Sequence, residues 1–253
     1  MFASRPHPAL SAPPPLEPVT TALFTDLDGT LAPLQPRPGM VGPDADRRRL
    51  LEGLLRRLDG RLAVISGRAL ADLDRILENR PMAVGAAHGL VRRDAAGRLY
   101  QMPAPPALGE ARDAVRAFAT ADRRLLVEDK GLALALHYRR APEAAEAALD
   151  LMRRLAAAYE LVVQEGDMVV ELRGSGPNKG DAVRAFMGES PFSGATPVFL
   201  GDDLTDEDGF AAAAALGGYG VVVGSRRPTL ARYAVADIEA ALTWLQSALE
   251  PAA

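Results

Sequence analysis

Continuous apolar runs, each stopping abruptly at polar residues, dominate the pattern of this chain. "TALFT" gives way to Asp26, Leu27, Asp28 and Gly29, "RLAVI" to Ser66, Gly67 and Arg68, and "TPVFL" to Gly201, Asp202 and Asp203, while "YGVVV" stops at Gly224. Runs without alternation predict parallel strands covered on both faces. Between them the apolar positions change to helical spacing. Leu50, Leu51, Leu54, Leu55 and Leu58 share one face ahead of Gly60, and Leu70, Leu73, Ile76 and Leu77 mark a second helix. An alanine-rich helix near Phe210 to Leu216 and a closing helix from about Asp237 complete the alternation. The class is α/β, a Rossmann-like doubly wound parallel sheet.

The middle of the chain departs from this rhythm. From about Ala104 to Arg173 the pattern predicts helix, two strands, helix and two strands. Leu132, Leu134 and Leu136 alternate with Ala133, Ala135 and His137, the period of a sheet with one covered face. This predicts an α+β module at 104–173 inserted into a core made of 19–103 and 174–253. Residues 1–18 hold six prolines and little periodic apolar character, and are expected to form a flexible lead-in.

Composition narrows the chemistry. At 253 residues and 48% apolar content the chain can bury a substantial core. With no cysteine, disulfides, thiolate nucleophiles and zinc-thiolate sites are excluded, which is compatible with a reducing compartment. Three histidines, one of them His7 in the lead-in, cannot make a multi-histidine metal cluster and poorly supply a Ser/His/Asp triad. A net charge of -4 argues against nucleic acid as a partner. No apolar run approaches the roughly 20 residues needed to cross a bilayer, so neither a membrane nor an export role is expected. A soluble cytoplasmic protein is the expectation, its oligomeric state open and leaning to a monomer.

In an open parallel sheet, residues that end neighbouring strands meet at the carboxyl edge, where ligands bind. The edge collects Asp26 and Asp28, Ser66 and Arg68, Lys179 from "GPNKG", and the acids of "GDDLTDEDGF". So many carboxylates require a positive partner, and a hard cation such as magnesium suits them while leaving positions for water and a substrate phosphate. Ser66 and Lys179 would hold the remaining phosphate oxygens, with the Gly29 N–H open to close approach. Residues i and i+2 of an extended chain face one side, so Asp26 and Asp28 can flank one phosphorus as nucleophile and proton carrier. Without further context, "GDDLTDEDGF" is open to other readings, among them a helix start favouring acids. It fails as an EF-hand.

"DLDGTL" with Ser66, Lys179 and "GDDLTD" resembles the haloacid dehalogenase superfamily of phosphatases. "VISGR", "AHGL", "VEDKGLALALHYR", "VVELR" and "NKGDAV" are similar to the trehalose-6-phosphate phosphatase family within it, over about residues 20 to 245. The resemblance implies Mg2+-dependent hydrolysis of a sugar phosphate through an aspartyl-phosphate on Asp26. It implies Asp28 as general acid/base and backbone metal ligand, Ser66 and Lys179 as phosphate ligands, and Asp202, with Asp203 or Asp206 nearby, at the metal. In the insert, a cap, it implies Glu128, Lys130 and Glu171 on the sugar hydroxyls, with Gly67, Arg68, His88 and Arg139 around the substrate. Gly174 stands where the family usually has proline after the arginine of "ELR". The alternatives are a phosphatase for another sugar phosphate, such as glucosylglycerol or sucrose phosphate, and a non-catalytic sugar-phosphate-binding module.

Overall fold

In the computed structural model, residues 10–226 and 228–250 are described. The first strands are β1 (Thr21–Thr25), β2 (Leu62–Ile65) and β3 (Ala83–Ala86), connected by helices α1 (Ala45–Arg57) and α2 (Leu70–Ile76). An antiparallel pair, β4 (Val91–Arg93) and β5 (Leu99–Gln101), follows. Sequence reading did not separate these two short strands, because polar Arg92, Arg93 and Gln101 break the apolar pattern. The chain then leaves this sheet for α3 (Leu108–Ala119), β6 (Leu126–Asp129), β7 (Ala133–His137), α4 (Ala145–Tyr159), β8 (Val162–Gly166) and β9 (Val169–Arg173). It returns through α5 (Lys179–Met187), β10 (Thr196–Gly201), α6 (Glu207–Ala215), β11 (Tyr219–Val223), β12 (Tyr233–Val235) and α7 (Ile238–Ser247).

Two sheets result. The larger has the order β12-β11-β10-β1-β2-β3-β4-β5, and its first six strands run parallel. From β1 the chain winds outward to β2 and β3 on one side and, after the excursion, to β10 on the other. The carboxyl ends of β1, β2 and β10 therefore enclose the point where the winding reverses, and Thr25 sits in register with Leu200 and Val64. Every residue of β1 and β2 is buried, as expected for a strand covered on both faces. Leu23, Leu62, Val64 and Leu200 pack with α1 and α7 on one face, and Phe24, Phe186, Phe192, Phe199 and Phe210 fill the other.

The smaller sheet, β6-β7-β9-β8, is wholly antiparallel and packs α3 and α4 on one face through Leu134, Leu136, Val170, Leu172 and Met152. The alternation along β7 predicts this face. The second face is covered too: Ala133 and Ala135 are buried, and Leu132 joins the core of the larger domain. The reason is that the insert's sheet folds back over the carboxyl edge, which shields the face sequence periodicity assigns to solvent.

The lead-in also differs from expectation over its described part. Residues 1–9 lie outside the described residues, but 10–18 are packed against the core. Leu16 is buried among the core leucines, Ser11 accepts the Ala234 N–H at 3.0 Å, Pro14 accepts the Trp244 indole N–H at 2.9 Å, and Arg61 donates to Pro18 at 2.8 Å. Proline content misleads here because carbonyl acceptors and two leucines suffice to dock an extended segment that needs no N–H donors of its own.

Candidate active site

β1 delivers Asp26 to the sheet edge with its N–H bonded to Leu200 at 2.8 Å, and the chain turns at once. Gly29 has φ +78 and its N–H donates to Ala32 at 2.8 Å, so this donor closes the turn and is not open to a ligand as the sequence led us to expect. Glycine is required for a second reason. A Cβ at position 29 would lie 2.1 Å from Asp202 Oδ2, so the turn after β1 and the end of β10 are in direct contact. Thr30 Oγ1 reinforces this contact by donating to Asp202 Oδ1 at 3.1 Å.

Asp26, Asp202 and Asp206 each bring a carboxylate oxygen within 4.8 Å of the others. Lys179, the first residue of α5, is almost completely buried and reaches Asp26 Oδ1 at 3.2 Å and Asp206 Oδ1 at 2.6 Å. Burial disfavours the Lys179 ammonium, but Asp206 and Asp26 outweigh it and hold the pKa above the ordinary lysine value. A cation at a helix start is unfavourable, and Asp206 supplies the compensating anion. One lysine does not neutralise three acids. Burial pushes Asp26 well above the usual carboxylate range despite Lys179, with Asp206 and Asp202 adding to the shift. Burial and Asp206 likewise push Asp202 up to about 7. Asp26 Oδ1 makes no well-aligned hydrogen bond. This donor set of buried, under-neutralised hard oxygens fits a divalent cation.

Asp206 is the residue sequence reading left undecided. It is fully buried, and its Oδ2 accepts the N–H groups of Asp202 and Asp203, both at 2.9 Å, while Oδ1 takes Lys179. Asp203, expected at the metal, lines the cleft but stands outside the group formed by Asp26, Asp202 and Asp206. Its Oδ2 lies 3.3 Å from the Asp167 N–H of the insert.

Ser66 ends β2, is buried, and accepts the Arg68 N–H at 3.3 Å. Arg68 lines the cleft as expected, yet its donors are committed within the protein. Nε and Nη2 fork both oxygens of Asp28 at 2.6 and 2.7 Å, and Nη1 donates to Pro38 at 3.0 Å and to Asp72. This bidentate grip fixes the direction of the Asp28 carboxylate. No spacing rule signals it, because the partners lie 40 residues apart.

The insert supplies the opposite wall. Glu128 Oε2 pairs with His137 Nε2 at 2.8 Å, and Lys130 forms a buried pair with Glu171. His88 comes from the core beneath, with Nε2 at 3.5 Å from Glu171 Oε2. His88 and Ala87 both have positive φ, 58 and 46, a strained conformation for residues with a Cβ. Gly67 makes room, since a Cβ there would meet His88 Nε2 at 2.4 Å. Burial tends to raise Glu171, but Lys130 and His88 hold it well below the usual carboxylate range; burial pushes His88 down. Arg139 is spent on Asp167, at 2.8 Å to Oδ2 and 2.9 Å to the carbonyl.

One cleft of about 840 Å³, partly open to solvent, lies between the carboxyl edge and the insert. It brings together Asp26, Asp28, Ser66, Gly67, Arg68, His88, Glu128, Lys130, Arg139, Glu171, Lys179, Asp202 and Asp203, while Asp206 lies buried behind it. The floor can hold a phosphate and a cation; the roof presents paired charges suited to hydroxyls.

The trehalose-phosphatase family model matches residues 24–239. The chain is 40% identical over 229 residues to the trehalose-6-phosphate phosphatase of Escherichia coli, covering 89% of this chain and 85% of that protein. It is 39% identical over 210 residues to a probable trehalose-phosphate phosphatase of Sinorhizobium fredii, covering 82% and 79%. The solved C-terminal domain of C. albicans trehalose-6-phosphate phosphatase has a TM-score of 0.82 at 23% identity, over 95% of this chain and 98% of that one. That similarity establishes the shared fold, the haloacid dehalogenase fold expected from the motifs. With a family model spanning most of its length and relatives aligned nearly end to end, the chain belongs to the trehalose-phosphatase family.

Proposed function

We propose that the protein hydrolyses trehalose 6-phosphate to trehalose and phosphate through a phosphoenzyme on Asp26. The observation that carries this reading is the cleft itself: a carboxylate against a buried lysine at the β1 edge, roofed by paired Glu128, Lys130 and Glu171. Asp26 attacks phosphorus and the bond to the sugar oxygen breaks. Asp28, aimed by Arg68, releases one oxygen from the fork to carry a proton, gives that proton to the departing oxygen and then takes one from the attacking water, which frees phosphate and restores Asp26. Ser66 and Lys179 hold the phosphoryl oxygens as charge moves. Lys130, Glu128 and Glu171 exchange their mutual contacts for sugar hydroxyls, with His88 beneath them and Arg139 at the rim, and the insert keeps bulk water from the phosphoenzyme.

Magnesium fits the floor: Asp26, Asp202 and Asp206 would hold it, with the Asp28 backbone carbonyl, and it would supply charge neutralisation for the phosphate during transfer. Asp203 serves instead as a contact to the insert. Cytoplasmic action is part of the proposal; among the described residues no helix is long and apolar enough to cross a membrane.

The test is phosphate release from trehalose 6-phosphate with magnesium and an EDTA control, beside glucose 6-phosphate and sucrose 6-phosphate. EDTA-sensitive release from the trehalose ester alone is expected. Release from another ester only would overturn the substrate, and none from any ester would overturn catalysis.

A further inference from the structure

Beside the catalytic cleft lies a second recess of about 490 Å³, open to solvent and built from both parts of the molecule. Arg37 reaches it from the loop after β1; Arg123 and Arg124 come from the turn before β6; His137, Arg139 and Arg140 come from the end of β7. Among the described residues no acidic side chain lines it. Arg124 is paired with Asp122 and Glu143, and Arg139 with Asp167. The side chains of Arg37, Arg123 and Arg140 make neither hydrogen bond nor ion pair among the described residues. All three are exposed.

In a chain of net charge -4, three of the five arginines around this recess, Arg37, Arg123 and Arg140, have no acid within ion-pair distance among the described residues, and an anion there balances their charge. Guanidinium groups converging from three segments match the several oxygens of a phosphoryl group. Position adds a role. Pro36, His137 and Arg139 line this recess and the catalytic cleft alike, so the two are adjoining rooms.

We propose that this recess is a second, non-catalytic phosphoryl-binding site that captures the phosphate end of the substrate at the mouth of the cleft. Its role in capture rests on the phosphatase reading; its existence as an anion site does not. The recess concentrates the dianion beside the floor and hands it inward, past Arg139, to Lys179 and Ser66. Capture of this kind acts on the encounter and leaves the chemical step alone.

The experiment compares wild type with R37Q/R123Q/R140Q, and with R37K/R123K/R140K as the charge-retaining control. These side chains have no hydrogen bond or ion pair to lose among the described residues, Arg140 contributing only a longer-range attraction to Asp122, and Arg139 and His137 stay in place because they also line the cleft. Inorganic phosphate is titrated calorimetrically at low ionic strength in magnesium. Wild type is expected to bind phosphate at the floor and, in addition, at the recess, and the glutamine variant only at the floor; the lysine variant regains part of the difference. With trehalose 6-phosphate the glutamine variant is expected to lose about tenfold in kcat/KM at low salt, with kcat unchanged and a flatter salt dependence. Identical phosphate binding by wild type and glutamine variant would overturn the site, and a fall in kcat matching that in kcat/KM would overturn capture. Wild type inert toward the ester would sink the phosphatase reading instead, and the phosphate titration would still decide the recess.

Discussion

The two walls of the cleft solve the problem of buried charge in opposite ways. On the floor, three carboxylates share one lysine, Asp26 and Asp202 are pushed up in pKa, and an Asp26 oxygen lacks an aligned donor. On the roof, Glu128 has His137, and Glu171 has Lys130 and His88, so Glu128 and Glu171 are both pulled down, against burial, into their charged forms. The floor has more acid than base and fits a cation from outside; the roof is balanced in charge without ligand, although Glu171 Oε2 and His88 Nδ1 also lack an aligned hydrogen-bond partner. A ligand at the floor adds missing contacts, whereas a ligand at the roof must compete with contacts already made.

The comparison breaks first at Asp26. Asp26→Asn removes the proposed nucleophile and is expected to lower kcat by at least about 10⁴-fold, while relieving acid repulsion so that the metal-free protein keeps or raises its melting temperature. Turnover near wild type would show that the floor works without a covalent step.

On the roof the same isosteric change has the reverse effect on folding. Glu171→Gln leaves the Lys130 ammonium buried without its carboxylate and is expected to cost about 3–5 kcal/mol in urea or thermal unfolding at neutral pH. The sign with pH follows from the depressed pKa. Unfolded Glu171 binds a proton more readily than folded Glu171, so its contribution is full above the ordinary glutamate value and declines as pH falls below it. The gap between wild type and variant should therefore narrow below about pH 4.5. A gap that stayed constant down to pH 3 would remove the electrostatic explanation.

Arg68→Lys probes the link between the walls and Asp28, the proposed proton carrier. Lysine keeps the charge but cannot fork Asp28, so kcat is expected to fall about 10–100-fold with little change in KM. An increase in KM alone would return Arg68 to the substrate-contact role expected from the sequence. The smallest expected effect is selectivity at Glu128. Glu128→Gln should reduce kcat/KM for trehalose 6-phosphate about tenfold and leave p-nitrophenyl phosphate nearly untouched. Equal losses on both esters would show that the roof does not read the sugar.

What was legible in advance follows the same division. The floor was visible because a buried parallel strand must end somewhere, and Asp26, Ser66 and Asp202 mark three such ends in one sheet, with Lys179 of "GPNKG" as the cation among their acids. Asp206 was harder, since its role depends on Oδ1 meeting Lys179 and Oδ2 meeting two backbone N–H groups, a geometry no spacing prescribes. The Arg68 fork on Asp28 and the burial of Ala133 and Ala135 are products of the insert and loops closing over the edge, which local periodicity does not contain. The docking of residues 10–18 was hidden by their prolines, although Leu10 and Leu16 were in plain view.

The contact between Gly29 and Asp202 has a use beyond architecture. The turn after Asp26 touches a carboxylate proposed to hold the cation, so a change of charge or rotation at Asp202 is transmitted directly to the Gly29 amide, itself bonded within the turn to Ala32. The 15N–1H resonance of Gly29 is a built-in gauge of cation loading: magnesium titration should move it in the wild type, and Asp202→Asn should hold it still.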